Sequence, residues 1–220
     1  MTNNYNLKSI LLDFDGVLVE SLDVKKDAFL ELFSSYSDDI KSQIVEYHLA
    51  HGGVSRYEKF DYFYKYIFKK PITDQIRLEL SDRFSKIVKE KMKVVKSVEF
   101  TEDFLEIFYE KFKLFVISAN PELELRDLIE ERGWKKYFKK ICGSPMSKVD
   151  HIRSIFDTYN LDASESIFVG DSLVDYESAK VCNIPFYLMV NGYNSNFRDD
   201  LQDIQGHLNN FNDLISLLNN

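Results

Sequence analysis

The chain has 220 residues, 28 Lys and Arg against 36 Asp and Glu for a formal net charge of −8, 45% hydrophobic residues and two cysteines. That length and apolar content suffice for one buried core carrying an inserted unit, while an acidic balance without a basic patch argues against a nucleic-acid partner. Cys142 and Cys182 are too few and too far apart for a disulfide framework, and no apolar run reaches membrane-spanning length.

The run Ile10-Leu11-Leu12-Asp13-Phe14-Asp15-Gly16 predicts a strand over 9–14 that delivers two carboxylates to a glycine-hinged loop. Two acids this close repel unless a cation, a proton or a hydrogen-bond donor relieves them, and Mg²⁺ does so well. An N-cap or a solvated loop is the competing reading. Next comes a stretch to about residue 97 with apolar residues at helical spacing: Val24, Ala28 and Leu32; Ile40, Ile44 and Tyr47; Phe60, Phe63 and Ile67; Ile76, Leu80, Phe84 and Val88. The aromatics crowded over 57–68 fit packing better than a stacking surface. The segment His51-Gly52-Gly53-Val54-Ser55-Arg56 interrupts this periodicity. Its glycines permit close backbone approach and Arg56 offers a fork for phosphate or carboxylate, or else Ser55 caps a helix and Arg56 pairs locally in solvent. His48 and His51 lack the partners of a metal site and are expected to have surface or packing roles.

Helices near 101–111, 121–132, 147–158 and 173–182 then alternate with strands near 113–118, 139–142, 166–169 and 186–189. With the first strand this makes a five-stranded, parallel, doubly wound α/β sheet. Leu208, Phe211, Leu214, Ile215 and Leu218 predict a closing helix. Three strand ends carry further candidates. Ser118 and Asn120 follow Leu114-Phe115-Val116-Ile117, as an oxyanion site or as an ordinary cap before Pro121. Lys148 sits at a helix start, opposing the dipole, as an anion ligand or a surface lysine. Asp171 and Asp175 follow Phe168-Val169-Gly170 and could face one space from a helix entrance, or cap it.

In this order the four segments resemble the motifs of the haloacid dehalogenase superfamily: Asp13-Phe14-Asp15-Gly16-Val17, Ser118, Lys148 and Gly170-Asp171-Ser172-Leu173-Val174-Asp175. The resemblance implies a catalytic core over 1–17 and 97–220 with an α-helical cap over 18–96. It implies Asp13 as nucleophile and Asp15 as general acid and base. Ser118, Lys148 and, more weakly, Asn120 would cradle phosphate. Mg²⁺ would sit on Asp13, Asp15 through its carbonyl, Asp171 and Asp175, the last in or just outside the first coordination sphere. Gly53-Val54-Ser55-Arg56 is similar to the cap loop of β-phosphoglucomutases, which makes Gly53, Ser55 and Arg56 substrate-binding candidates. The expected activity is a Mg²⁺-dependent phosphatase acting on a small phosphorylated metabolite. A sugar-phosphate mutase and a non-catalytic binding module are the alternatives. Met1–Leu7 has no basic start or apolar core of a leader, so a cytoplasmic protein without membrane attachment is expected. The sequence leaves the oligomeric state open.

Overall fold

A computed structural model describes residues 6–195 and 201–219; most of the segment read for a leader, residues 1–5, lies outside them. Six parallel strands form one sheet: β1 (Ser9–Leu12), β2 (Lys113–Pro121), β3 (Phe138–Ser144), β4 (Ser166–Gly170), β5 (Phe186–Met189) and β6 (Gly206–Leu208), in the order β3-β2-β1-β4-β5-β6. The five-strand expectation is thus one short. Leu208, which the sequence suggested as part of the closing helix, pairs with Met189 at the sheet edge. Three residues are too few to show alternation.

The chain runs outward from β1 through β2 to β3, then returns to the other side of β1 as β4. Such a reversal opens a crevice beyond the carboxyl ends of the central strands. Leu12 lies in register with Val116 on one side and Val169 on the other, so Asp13, Ser118 and Asp171 all emerge on that edge. The sheet is covered on both faces, as buried parallel strands require. Ile10, Leu12, Val116 and Val169 point to one side and Leu11, Phe115, Ile117 and Phe168 to the other. The second side is closed by α7 (Lys148–Tyr159) and α8 (Leu173–Val181) through Ile152, Ile155 and Ala179. The first is closed by α5 (Thr101–Phe108), α6 (Glu122–Glu131) and α9 (Phe211–Leu218).

Between β1 and β2 the chain forms α1 (Leu22–Leu32), α2 (Asp38–Ala50), α3 (Arg56–Tyr62) with a π-helical turn over Phe63–Ile67, and α4 (Asp74–Met92). Ser37, Ser55 and Thr73 accept from the backbone N–H three residues on and start α2, α3 and α4. The crowded aromatics pack: Phe29 meets Phe63 edge-on at 5.5 Å and Phe84 at 4.4 Å, and Phe60 and Phe63 are fully buried. No helix among the described residues is long and apolar enough to cross a membrane.

Candidate active site

Where β1 ends, the backbone N–H of Asp13 donates to Val169 O at 3.0 Å, which fixes the loop that carries both acids. Gly16 has φ +76°, and a Cβ there would lie 2.2 Å from Asp171 Oδ2. Only glycine lets this turn close so tightly against the fourth strand's acid.

Asp13, Asp171 and Asp175 are buried, with oxygens that all lie within 4.8 Å of one another. Lys148 Nζ stands between them, 2.9 Å from Asp13 Oδ1 and 2.5 Å from Asp175 Oδ1. The other oxygen of Asp175 accepts from the backbone N–H and hydroxyl of Ser172, completing a capping box on α8. Both oxygens of Asp175 are therefore occupied, and it acts as an anchor for Lys148. Asp171 Oδ2 accepts from Asn191 Nδ2 at 2.9 Å. Asp13 Oδ2 and Asp171 Oδ1 have no donor among the described residues.

The electrostatics follow from crowding. Burial, opposed by Lys148 and reinforced by Asp175 and Asp15, pushes the Asp13 carboxyl up to about 7. Burial and the charges of Asp13 and Asp175 push Asp171 well above the usual carboxylate range. Burial works against the Lys148 charge, but Asp13 and Asp175 overcome it and hold the proton more tightly than usual. Buried carboxylates in excess of their one lysine, with free oxygens on two of them, fit a hard divalent cation such as Mg²⁺.

Asp15 points elsewhere. Its Oδ1 accepts from Ser21 Oγ at 2.5 Å, and its Oδ2 from Lys25 Nζ at 2.5 Å and Asn120 Nδ2 at 2.8 Å. Lys25 also reaches Asn120 Oδ1 at 2.8 Å. Burial would raise Asp15, yet the charge and hydrogen bonds of Lys25, Ser21 and Asn120 bring it below the usual range. Asn120, a candidate for the phosphate cradle, is here a holder of Asp15, while Ser118 lines the cavity and its Oγ accepts from Asn120 N.

The cavity of about 60 Å³ lies between these strand ends and the helical insert, which contributes Lys25, Phe29, His48, Gly52, Gly53, Val54, Arg56, Lys59 and Phe84 to its wall. Of the three loop candidates, Gly53 lines it with φ +76°, and a Cβ there would stand 2.4 Å from Ser172 Oγ. Its close approach is to α8. Ser55 caps α3 and does not line the cavity. Arg56 does, but its guanidinium is held by Glu124 in a two-pronged pair at 3.0 and 2.7 Å, by Ser85 Oγ at 2.6 Å, and over the Phe84 ring. The pairing is buried and crosses to α6, unlike the solvent pairing the sequence suggested.

Sequence reading missed Ser21, Lys25, Asn191, His48 and Lys59. Lys25 carries the signal used for Lys148, a basic residue in a first helical turn against the dipole. Asn191 follows the β5 strand as the other candidates follow theirs. Arg56 and Lys59 fall on the same stripe as Phe60 and Phe63, where a charge is out of place.

Residues 10–189 match the family described as haloacid dehalogenase-like hydrolase. A comparison with curated proteins returns no match. Among solved structures the chain is similar to a predicted phosphoglycolate phosphatase from Haemophilus somnus, with a TM-score of 0.79 and 17% identity over 98% of this chain and 100% of that one. It is also similar to CbbY from Rhodobacter sphaeroides in complex with phosphate, with a TM-score of 0.78 and 15% identity over 97% and 100%. The HAD-hydrolase YfnB from Bacillus subtilis, bound to magnesium, follows at 0.71 and 15% identity over 97% and 99%. At such identities the likeness establishes the fold.

Proposed function

Since the chain belongs to the haloacid dehalogenase-like hydrolase family, we propose that it is a phosphatase that hydrolyses a small phosphorylated metabolite through an aspartyl-phosphate on Asp13. The observation that carries this reading is the buried Asp13 carboxylate held against Lys148 at 2.9 Å, at the mouth of a cavity shared with Asp15 and Ser118. The phosphatase and phosphate-bound neighbours support it as analogy. In the same reading residues 18–96 act as a cap over a core of 1–17 and 97–220.

Asp13 attacks phosphorus through one carboxylate oxygen while the ester O–P bond breaks. Lys148 and Ser118 hold the transferring oxygens, where positioning and charge supply most of the acceleration. Asp15 gives a proton to the leaving alkoxide and then takes one from the attacking water, and phosphate leaves as Asp13 is regenerated. With Ser21, Lys25 and Asn120 all donating to it, Asp15 is arranged as the carboxylate of the second half-reaction. For the first half it must carry a proton, which requires Lys25 to draw back. Mg²⁺ held by Asp13 and Asp171, with the carbonyl of Asp15 and with Asp175 bracing Lys148, would neutralise the crowded acids and screen the phosphoryl charge.

The test is phosphate release from a panel of phosphate esters with and without Mg²⁺, for the native chain and Asp13→Asn. Release that needs the cation and vanishes in the variant supports the reading. Undiminished release from a folded Asp13→Asn chain sinks it, and isomerisation that needs a bisphosphate activator, with little phosphate release, makes the enzyme a mutase.

A further inference from the structure

Four cations line or adjoin the cavity, Lys25 half-buried and Arg56, Lys59 and Lys148 buried, and three have carboxylate partners. Lys25 has Asp15, Lys148 has Asp13 and Asp175, and Arg56 has Glu124. The fourth, Lys59, is 4% exposed and lines the cavity from α3, yet no carboxylate among the described residues pairs with it. Its Nζ lies 2.8 Å from His48 Nδ1 and 3.4 Å from His48 O, both uncharged acceptors. Burying an ammonium without a counter-ion is costly, and natural sites tolerate it where a ligand brings the missing charge.

The surroundings agree. Burial and the nearby Lys25 pull Lys59 down to about 7, although Asp15, Glu58 and Asp171 work against them. His48 is held well below the usual imidazole range by burial first, then by Lys59, Lys25 and Lys26. A neutral ring whose Nδ1 accepts from Lys59 carries its proton on Nε2, and that N–H has no acceptor among the described residues. One wall of the cavity thus carries an ammonium and a neutral imidazole, neither paired with a carboxylate among the described residues. Arg56, the sequence's candidate for this task, already has its charge matched by Glu124, with Ser85 as a further acceptor.

We propose that Lys59 and His48 form a second anion subsite, which takes a carboxylate on the leaving group and selects small phosphorylated acids over phosphates of neutral alcohols. The assignment rests on the phosphatase reading above. The side chains belong to the insert and Asp13 to the sheet, so the group they hold lies on the leaving-group side of the phosphoryl. The cavity of about 60 Å³ must also hold the transferring phosphoryl group, which leaves more room for a planar carboxylate than for a second tetrahedral phosphate.

The experiment compares kcat/KM for 2-phosphoglycolate and 3-phosphoglycerate with that for ethyl phosphate and glycerol 1-phosphate, and for a bisphosphate of similar size, in the Mg²⁺-loaded native chain, Lys59→Met and His48→Gln. The native chain is expected to prefer the acids, and Lys59→Met to lower the acid-to-neutral ratio at least about tenfold, chiefly through KM. An unchanged ratio, a native preference for neutral esters, or a better fit of the bisphosphate overturns the proposal. Equal losses on all esters would assign Lys59 to the phosphoryl group and overturn it too. Calorimetric titration of Asp13→Asn with 2-phosphoglycolate and ethyl phosphate, with and without Lys59→Met, reads the subsite apart from turnover. If no ester is hydrolysed, the phosphatase reading fails while this binding difference still decides the subsite. Lys59→Met removes an unpaired buried charge and should melt no lower than the native chain. If it fails to fold, Lys59→Gln takes its place.

Discussion

The floor and roof of the cavity are built in opposite ways. The floor gathers acids from strand ends, Asp13 from β1 and Asp171 beyond β4, with Lys148 from the start of α7 as their one cation. The roof gathers cations from helix faces, Lys25 from α1 and Arg56 and Lys59 from α3. A floor of excess negative charge under a roof of excess positive charge separates two tasks. In the proposed function the floor governs the reacting phosphorus, and the roof governs which ester arrives.

Mutations should respect that division. Asp13→Asn is expected to abolish turnover by about a thousandfold or more on every ester while leaving the melting temperature unchanged or higher, since it relieves repulsion in a crowded acid cluster. Steady-state kinetics and a thermal melt check both halves. Lys148→Met should cost about a hundredfold in turnover, again on all esters, and lower the melting temperature, because it leaves Asp13 and Asp175 buried without their shared partner. If its effect depended on the ester's alcohol, floor and roof would not be separable.

Lys25→Met tests the seam between them. Asp15 lies below the usual carboxylate range when folded, so its contribution to stability is present above the ordinary carboxylate pKa and is lost as pH falls through the lowered value. Without Lys25 that loss should begin at higher pH, and stability at pH 7 should fall by about 2 kcal/mol. Denaturant melts across pH 3 to 7, on the order of five points, read both. An acid limb that does not move would mean that Ser21 and Asn120 alone hold the carboxylate. The smallest effect is expected from Glu124→Gln, which loosens Arg56 and with it the contact between α3 and α6. KM should rise a few-fold, about threefold, for all esters with kcat little changed.

The same contrast explains what could be read from the sequence. Each floor acid follows an apolar run, so the local period that reveals a strand also marks the residue delivered at its tip. Asp13, Ser118 and Asp171 were legible for that reason, and the parallel order followed from the alternation of strands with helices. Roof residues reach the cavity through packing between helices far apart in the chain. Lys59 meets His48 only because α2 and α3 both fold against Phe29 of α1. Helical periodicity identifies a buried face without saying which cavity that face borders. Arg56 was noticed for its chemistry, but its partner, Glu124, lies in α6, a helix with no local tie to it. Strand β6 escaped because Gly206–Leu208 is short and not apolar throughout.

The turn at Gly53 ties roof to floor mechanically. Its backbone rests on Ser172, Ser172 holds Asp175, Asp175 holds Lys148, and Lys148 touches Asp13. Seating of the insert is therefore transmitted to the nucleophile through three side chains, without any part of the substrate intervening. A single methyl group at Gly53 acts as a shim, and it should detune catalysis alike for good and poor esters, a signature that kinetics on matched pairs would record.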